Sequence, residues 1–287
     1  MNIFDRMGDW VHDRLVEGIM SNLMGMIGAV NDEVGNVAAN VSQTPANFSP
    51  GVFAMIRNIS DTVIMPIAGM ILTFIACYEL IQMIIDHNNM QNFDTWLLFR
   101  WVFKTFVAVT LISHTYDITM AVFDVSQWVI SHAGGIIGGS TAINDSQIAA
   151  MLTTIDAMSV GALLGLYLQS AVIQITLWAL SKIIFVIVYG RMIEIYLMTS
   201  LAPIPFATFG NKEQSQIGQN YLRSLLAVGL QGFLIIICVG IYAVLVAGVT
   251  FSGDIVASLW GIVGYTVLLC FTLFKTGSLA KSILNCH

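Results

Sequence analysis

The chain has few residues equipped for chemistry, and most of the notable ones sit in apolar surroundings. Glu79 lies within TVIMPIAGMILTFIACYELIQMII (62–85), and Arg100 and Lys104 lie one helical turn apart in WLLFRWVFKTFVAVTLI (96–112). Arg191 and Glu194 are three residues apart in VYGRMIEIYLMTSLAPIPFATF, ahead of a stretch broken by Pro203 and Pro205. Charge inside an apolar run is costly and marks a functional or structural role by default. Two fates are open to the first group. Glu79 bridges Arg100 or Lys104 on a neighbouring helix, or the long basic side chains reach out to the headgroups. Arg191 also has two outlets: a local pair with Glu194 on one helix face, or an anchoring role at the bend. Pro203 and Pro205 free backbone carbonyls there that need a donor or burial in protein. A proton relay needs carriers stepping across the bilayer, and a single Glu at one depth argues against a pump.

Enzymatic chemistry finds no foothold. Cys77, Cys238 and Cys270 lie in apolar runs, Cys286 is next to last, and no CxxC pair occurs. The five histidines (12, 87, 114, 132, 287) are scattered, whereas metal ligands must converge. No GxSxG, HExxH, Walker A or GxGxxG motif is present. The sequence therefore assigns no catalytic, cofactor-binding or metal-binding residue. Gln169, Gln174 and Gln231 suit hydrogen bonds between helices, and Gly161 and Gly165 (GALLG) suit close helix packing.

The elements that carry these residues follow from composition. The 287 residues are 57% hydrophobic and 10% charged, against roughly 45–50% and 25% in soluble domains. Mean hydropathy is +0.81. Such a chain cannot coat a water-soluble fold with charge, and it is too apolar to be disordered. Eleven Lys and Arg against seventeen Asp and Glu give a net charge of −6, so a strong phosphate-binding track is excluded. The predicted fold is an all-α integral membrane protein with about five transmembrane helices and an N-terminal amphipathic helix.

A bilayer core of about 30 Å needs roughly 20 apolar helical residues. Stretches 62–85, 96–112, 160–209, 221–249 and 255–274 qualify, the third as one long crossing with a proline-broken end. Pro66 is placed in the opening turns of the first, where a missing N–H costs least. Between residues 112 and 160 stand four Asp (117, 124, 145, 156) and no Lys or Arg. Arg100, Lys104, Lys212, Arg223, Lys275 and Lys281 fall at the opposite ends of their spans. Because cytoplasmic ends collect Lys and Arg, the expected orientation is N-terminus out and C-terminus in.

The resulting segments are an extracytoplasmic arm and linker (1–61), two spans (62–112), an extracytoplasmic insert (113–159), and three spans (160–287) with a cytoplasmic link at 209–222. In the arm, Phe4, Met7, Val11, Leu15, Ile19, Leu23, Ile27 and Val30 recur at helical spacing between Asp5, Asp9, Asp13 and Glu17. Such a helix suits a membrane surface or a partner. Its opening, MNIFDRMGDW, lacks the basic and apolar regions of a signal peptide. NVSQTPANFSPG (40–51) reads as a linker. The insert carries an amphipathic piece over 120–130, then the glycine-rich HAGGIIGGSTAIND (132–145), read as mobile backbone.

The order of these segments, with Arg191, LAPIPFATF (201–209) and NKEQSQIGQNYLRSLLAVGLQGFL (211–234), resembles the TrbL-type polytopic channel subunits of type IV secretion and conjugative transfer machines. It looks closest to the shorter forms on mobile genetic elements of Gram-positive bacteria, though its link carries fewer basic and aromatic residues. The resemblance implies a homo-oligomeric platform in the bacterial cytoplasmic (inner) membrane. It implies partners among the other secretion subunits, including a transfer ATPase, besides the lipid bilayer. The composition adds that the isolated subunit should not bind nucleic acid tightly. A small-solute or ion transporter or channel is the alternative.

Overall fold

The computed structural model describes residues 3–86, 95–137, 145–211, 213–249 and 255–286. Among them there is helix and no strand. In chain order the α-helices are α1 (Ile3–Val41), α2 (Pro45–Phe48), α3 (Pro50–Ile59), α4 (Met65–Asp86), α5 (Thr95–Ser113) and α6 (Thr115–Ile137). They continue as α7 (Asp145–Asp156), α8 (Val160–Leu201), α9 (Pro203–Ala207), α10 (Ser215–Ala247) and α11 (Ile255–Ile283). Among the described residues, five helical runs are long and apolar enough to cross a membrane: Pro50–Ile85, Thr95–Ser113, Val160–Leu201, Ser215–Ala247 and Ile255–Ile283. The protein is an all-α, multi-pass membrane protein. The first two spans present large apolar side chains outward, with Phe74, Phe103 and Phe106 all more than half exposed, as lipid contact requires.

Several expected boundaries shift. The first span starts at Pro50, not Thr62, and the expected linker is largely helical. Thr44 caps α2 by accepting from the Asn47 N–H, and Pro45 and Pro50 occupy first-turn positions, where proline loses no hydrogen bond. Pro66 consequently falls inside a long helical run instead of at its start. The helix accommodates it through a π-turn over Ser60–Ile64, in which the Met65 N–H reaches Ser60 O, five residues back. Gly134 and Gly135 lie in helix α6, so only the second glycine pair of the expected loop (138–139) remains, outside the described residues. Lys212 also lies outside them. Residues 160–201 form one helix of 42 residues, about 63 Å long at 1.5 Å per residue, roughly twice the bilayer core.

The helices gather into two compact units. One comprises Met1–Ser42, Ile130–Tyr189 and Leu234–Thr276. In it, α1 is not a free arm but packs on α8. Ile19, Leu23 and Met26 are buried, Asn22 Nδ2 donates to Ser170 Oγ at 3.0 Å, and a Cβ on Gly18 would lie 2.8 Å from the Tyr167 ring. Asp9, Asp13 and Glu17 of the polar stripe are exposed. The other unit comprises Gln43–Val129, Gly190–Phe233 and Gly277–His287. Its cores are Ile56, Phe123, Ile195, Tyr196, Leu225 and Val228 in one cluster, and Ala68, Leu72, Ala108, Ile112, Phe206 and Ala207 in another. The second cluster seats the short α9 against α4 and α5.

Candidate functional site

The second unit holds most of the charged residues singled out by the sequence. On α4 and α5, Lys104 Nζ donates to both carboxylate oxygens of Glu79, at 2.5 and 2.7 Å. The Glu79 side chain is 18% exposed and that of Lys104 42%, so the pair is half-sheltered. The Trp101 indole N–H donates to Ala76 O at 3.0 Å one turn away, which adds a second strap between the same helices. Arg100 stays exposed.

Arg191 and Glu194 do not pair with each other. Arg191 is buried and its Nε donates to Val228 O on α10 at 3.2 Å. Glu194 accepts from Lys281 Nζ on α11 at 3.0 Å. Local spacing offered Glu194 as partner, but helix packing supplies competitors 37 and 87 residues away.

The bend after α8 is built from its own chemistry. Pro203 and Pro205 have no N–H, and the Ala202 N–H turns to Thr199 O at 3.4 Å instead of continuing the helical ladder to Met198. The Met198 carbonyl thus freed accepts from the Tyr221 hydroxyl at 2.9 Å. Thr208 Oγ1 donates to Pro205 O at 2.7 Å and accepts from the Gly218 N–H at 3.1 Å. Asn211 Oδ1 accepts from the N–H groups of Glu213 and Gln214, an Asx turn that leads the chain into α10. Gly218 is required here, since a Cβ would lie 2.8 Å from Pro205 O and 3.0 Å from the Phe209 ring. The donor at the bend is therefore Tyr221 and not Arg191. Tyr221 and Thr208 were missed by the sequence reading because neither is charged. The usable signal was the demand of two prolines for donors.

Gly161 and Gly165 make no close contact: a Cβ at either position meets nothing within 4 Å. Close approach occurs instead at Gly18 and Gly25, which face Tyr167 and Gln174. No cluster of metal-ligating side chains occurs among the described residues. Taken together, these residues form a braced pair of spans with a hydrogen-bonded proline bend seated on it.

Neither the curated proteins nor the solved structures yield a match to this chain. The family model for TrbL/VirB6 plasmid conjugal transfer-like proteins matches residues 30–203, which is more than half of the chain and takes in α2 to α8, the first three candidate spans, and Pro203. With five candidate spans around it, the chain belongs to the TrbL/VirB6 plasmid conjugal transfer-like family, the multi-pass membrane components of type IV secretion machines that associate with other transfer subunits.

Proposed function

We propose that this subunit is a non-enzymatic scaffold and channel component of conjugative DNA transfer. It forms a homo-oligomeric platform in the cytoplasmic membrane and works with a transfer ATPase. The family match over residues 30–203 carries the reading. Charge supports the finer points. The Asp-only insert favours an outside location for 113–159, and the basic residues at the opposite span ends favour N-out, C-in. With eleven basic residues spread over a chain of net charge −6, DNA passes by or through the assembly without tight binding to the subunit. Within it, Glu79 with Lys104 braces the first two spans, and Arg191 with the Pro203–Pro205 bend fixes the inner ends of the later ones.

The test is an in-frame deletion of the gene in a donor cell. Transfer should fall by orders of magnitude and return with the wild-type gene, and an epitope-tagged subunit should copurify with the transfer ATPase. Transfer at wild-type frequency, or solute or ion flux by the purified protein alone in vesicles, would overturn the reading in favour of a transporter or channel. For orientation, single cysteines at Ser140 and Ser215 in a cysteine-free chain are labelled in intact cells. Position 140 should react and 215 should not.

A further inference from the structure

In the first unit, Gly18, Asn22 and Gly25 meet Tyr167, Ser170 and Gln174 in turn, so α1 and α8 run parallel with matched steps. Small residues close the seam at that level. Three turns further along the seam changes character. Asn36 and Asn40 of α1 and Ser181, Lys182 and Tyr189 of α8 line a cavity of about 300 Å³, at the lower end of small-molecule sites. A seam designed only for packing would carry apolar or small side chains there. This one carries amides, hydroxyls and an ammonium beside the apolar Val37, Phe185 and Val188. Lys182 makes no ion pair among the described residues, and its contact is with the face of Trp178 at 5.9 Å, near the distance limit of a cation–π interaction.

We propose that this cavity binds a phosphate group. Lys182 supplies the charge, and the Asn36 and Asn40 amides supply N–H donors from the facing helix, a set suited to several oxygens on one centre. The phosphate can come from an anionic phospholipid headgroup or from free phosphate. The surroundings suit the lipid. Phe185 lines the cavity and is 47% exposed, and Trp178 and Val186 beside it are more than 60% exposed, which gives acyl chains an apolar surface next to the headgroup site. The inference does not depend on the role in transfer.

The experiment uses the full chain in nanodiscs of phosphatidylcholine containing a minority of phosphatidylglycerol, with retained lipid counted by native mass spectrometry after release. Wild type should retain phosphatidylglycerol selectively. Lys182→Gln should lower retention about tenfold, the worth of one charge-assisted hydrogen bond, while Lys182→Arg and the exposed-site control Arg14→Gln keep it. Loss of the bound lipid on adding millimolar inorganic phosphate would assign free phosphate as the occupant, and persistence would assign the lipid. Equal retention by wild type and Lys182→Gln would overturn the proposal.

Discussion

The two units settle their polar side chains differently. Between the helices of the unit of α1 and the first part of α8, neutral side chains answer one another, Asn22 with Ser170 and Tyr242 with Thr266 at 2.9 Å, with a weak thiol contact from Cys270 to Leu180 O, and the Arg14–Glu17 ion pair stays within α1. In the unit that carries the bend, side chains answer backbone carbonyls and opposite charges. Tyr196 donates to Pro45 O at 2.7 Å, Tyr221 to Met198 O and Arg191 to Val228 O, while Lys104 meets Glu79 and Lys281 meets Glu194. The difference follows from backbone regularity. A regular helix satisfies its own carbonyls, so polar groups between such helices must find each other. The proline bend and the short α2 release the Met198 and Pro45 carbonyls, which Tyr221 and Tyr196 take up, whereas Arg191 shares the Val228 carbonyl inside α10. The irregular unit is thus pinned by long-range bonds at defined points, and the regular one by a continuous seam.

Two glycines with the same gap break this comparison open. A Cβ at Gly218 and one at Gly18 would each come within 2.8 Å of a neighbour. At Gly218 that neighbour is the backbone oxygen of Pro205, held by the bend. At Gly18 it is the edge of the Tyr167 ring, which can swing. Gly218→Ala should therefore cost about 1–3 kcal/mol, the usual range for overpacking, and Gly18→Ala clearly less. Thermal unfolding in detergent measures both. Equal losses would mean that the bend yields as easily as a side chain, and the contrast between the units would fail.

This contrast also marks what was legible in the sequence. Helix class and span count follow from apolar run length, a local property, and those are what the structure retains. Depth counting along two neighbouring spans set Glu79 opposite Arg100 and Lys104, and the structure brings it to Lys104. The choices that depend on packing were not legible. Nothing local says that α1 buries Ile19 and Leu23 against α8, that Glu194 meets Lys281, or that Tyr221 caps a carbonyl 23 residues away. The start of the first span at Pro50 was hidden because turn-forming residues and helix-capping residues are the same types. Gly134 and Gly135 read as loop because propensity counts against them, yet they lie in the last turns of α6, where a Cβ at either meets nothing within 4 Å. The packing of α1 has a practical consequence. Deleting residues 2–40, an attractive test if the arm were free, would strip Ser170 and other buried positions of α8, so a loss of transfer would not report on a partner.

A smaller effect of opposite sign comes from Tyr116, at the start of α6. Its hydroxyl is buried with no hydrogen-bond partner among the described residues. Burial pushes its pKa up to about 12, and the Arg57 guanidinium, 5.0 Å over its ring, offsets only part of the rise. An orphaned buried polar group costs free energy at neutral pH, so Tyr116→Phe should stabilise the protein by about 1 kcal/mol. The pH sign is also fixed. The folded protein holds the phenol neutral more firmly than the unfolded chain does, so stability is unaffected by this group below pH 10 and falls as pH rises from 10 to 12. Unfolding midpoints of wild type should drop more steeply across that window than those of Tyr116→Phe. Parallel profiles, or destabilisation at neutral pH, would show the hydroxyl to be satisfied and would bring this corner back into line with the rest of its unit.

The smallest expected effect tests whether charge pairing contributes to the irregular unit. Lys104 and Glu79 join the first two spans, with Arg100 one turn away as an internal control. Polar contacts between membrane helices average about 0.6 kcal/mol, with a maximum near 1.7, because the separated helices also find partners. Glu79→Gln should lower detergent stability by an amount in that range. Adding Lys104→Gln should cost little more, since the ammonium whose carboxylate has gone contributes no pair to lose. Adding Arg100→Gln should produce an independent, additive change. The coupling energy from the Glu79–Lys104 cycle should therefore exceed that of the Glu79–Arg100 cycle. The Trp101 indole N–H to Ala76 O remains in all these variants, so the hairpin keeps one strap and the folded reference survives. Equal coupling in the two cycles would indicate a diffuse field of basic charge and not a defined bridge. The irregular unit would then be pinned by its carbonyl bonds alone, and the two units would differ in backbone geometry but not in their use of charge.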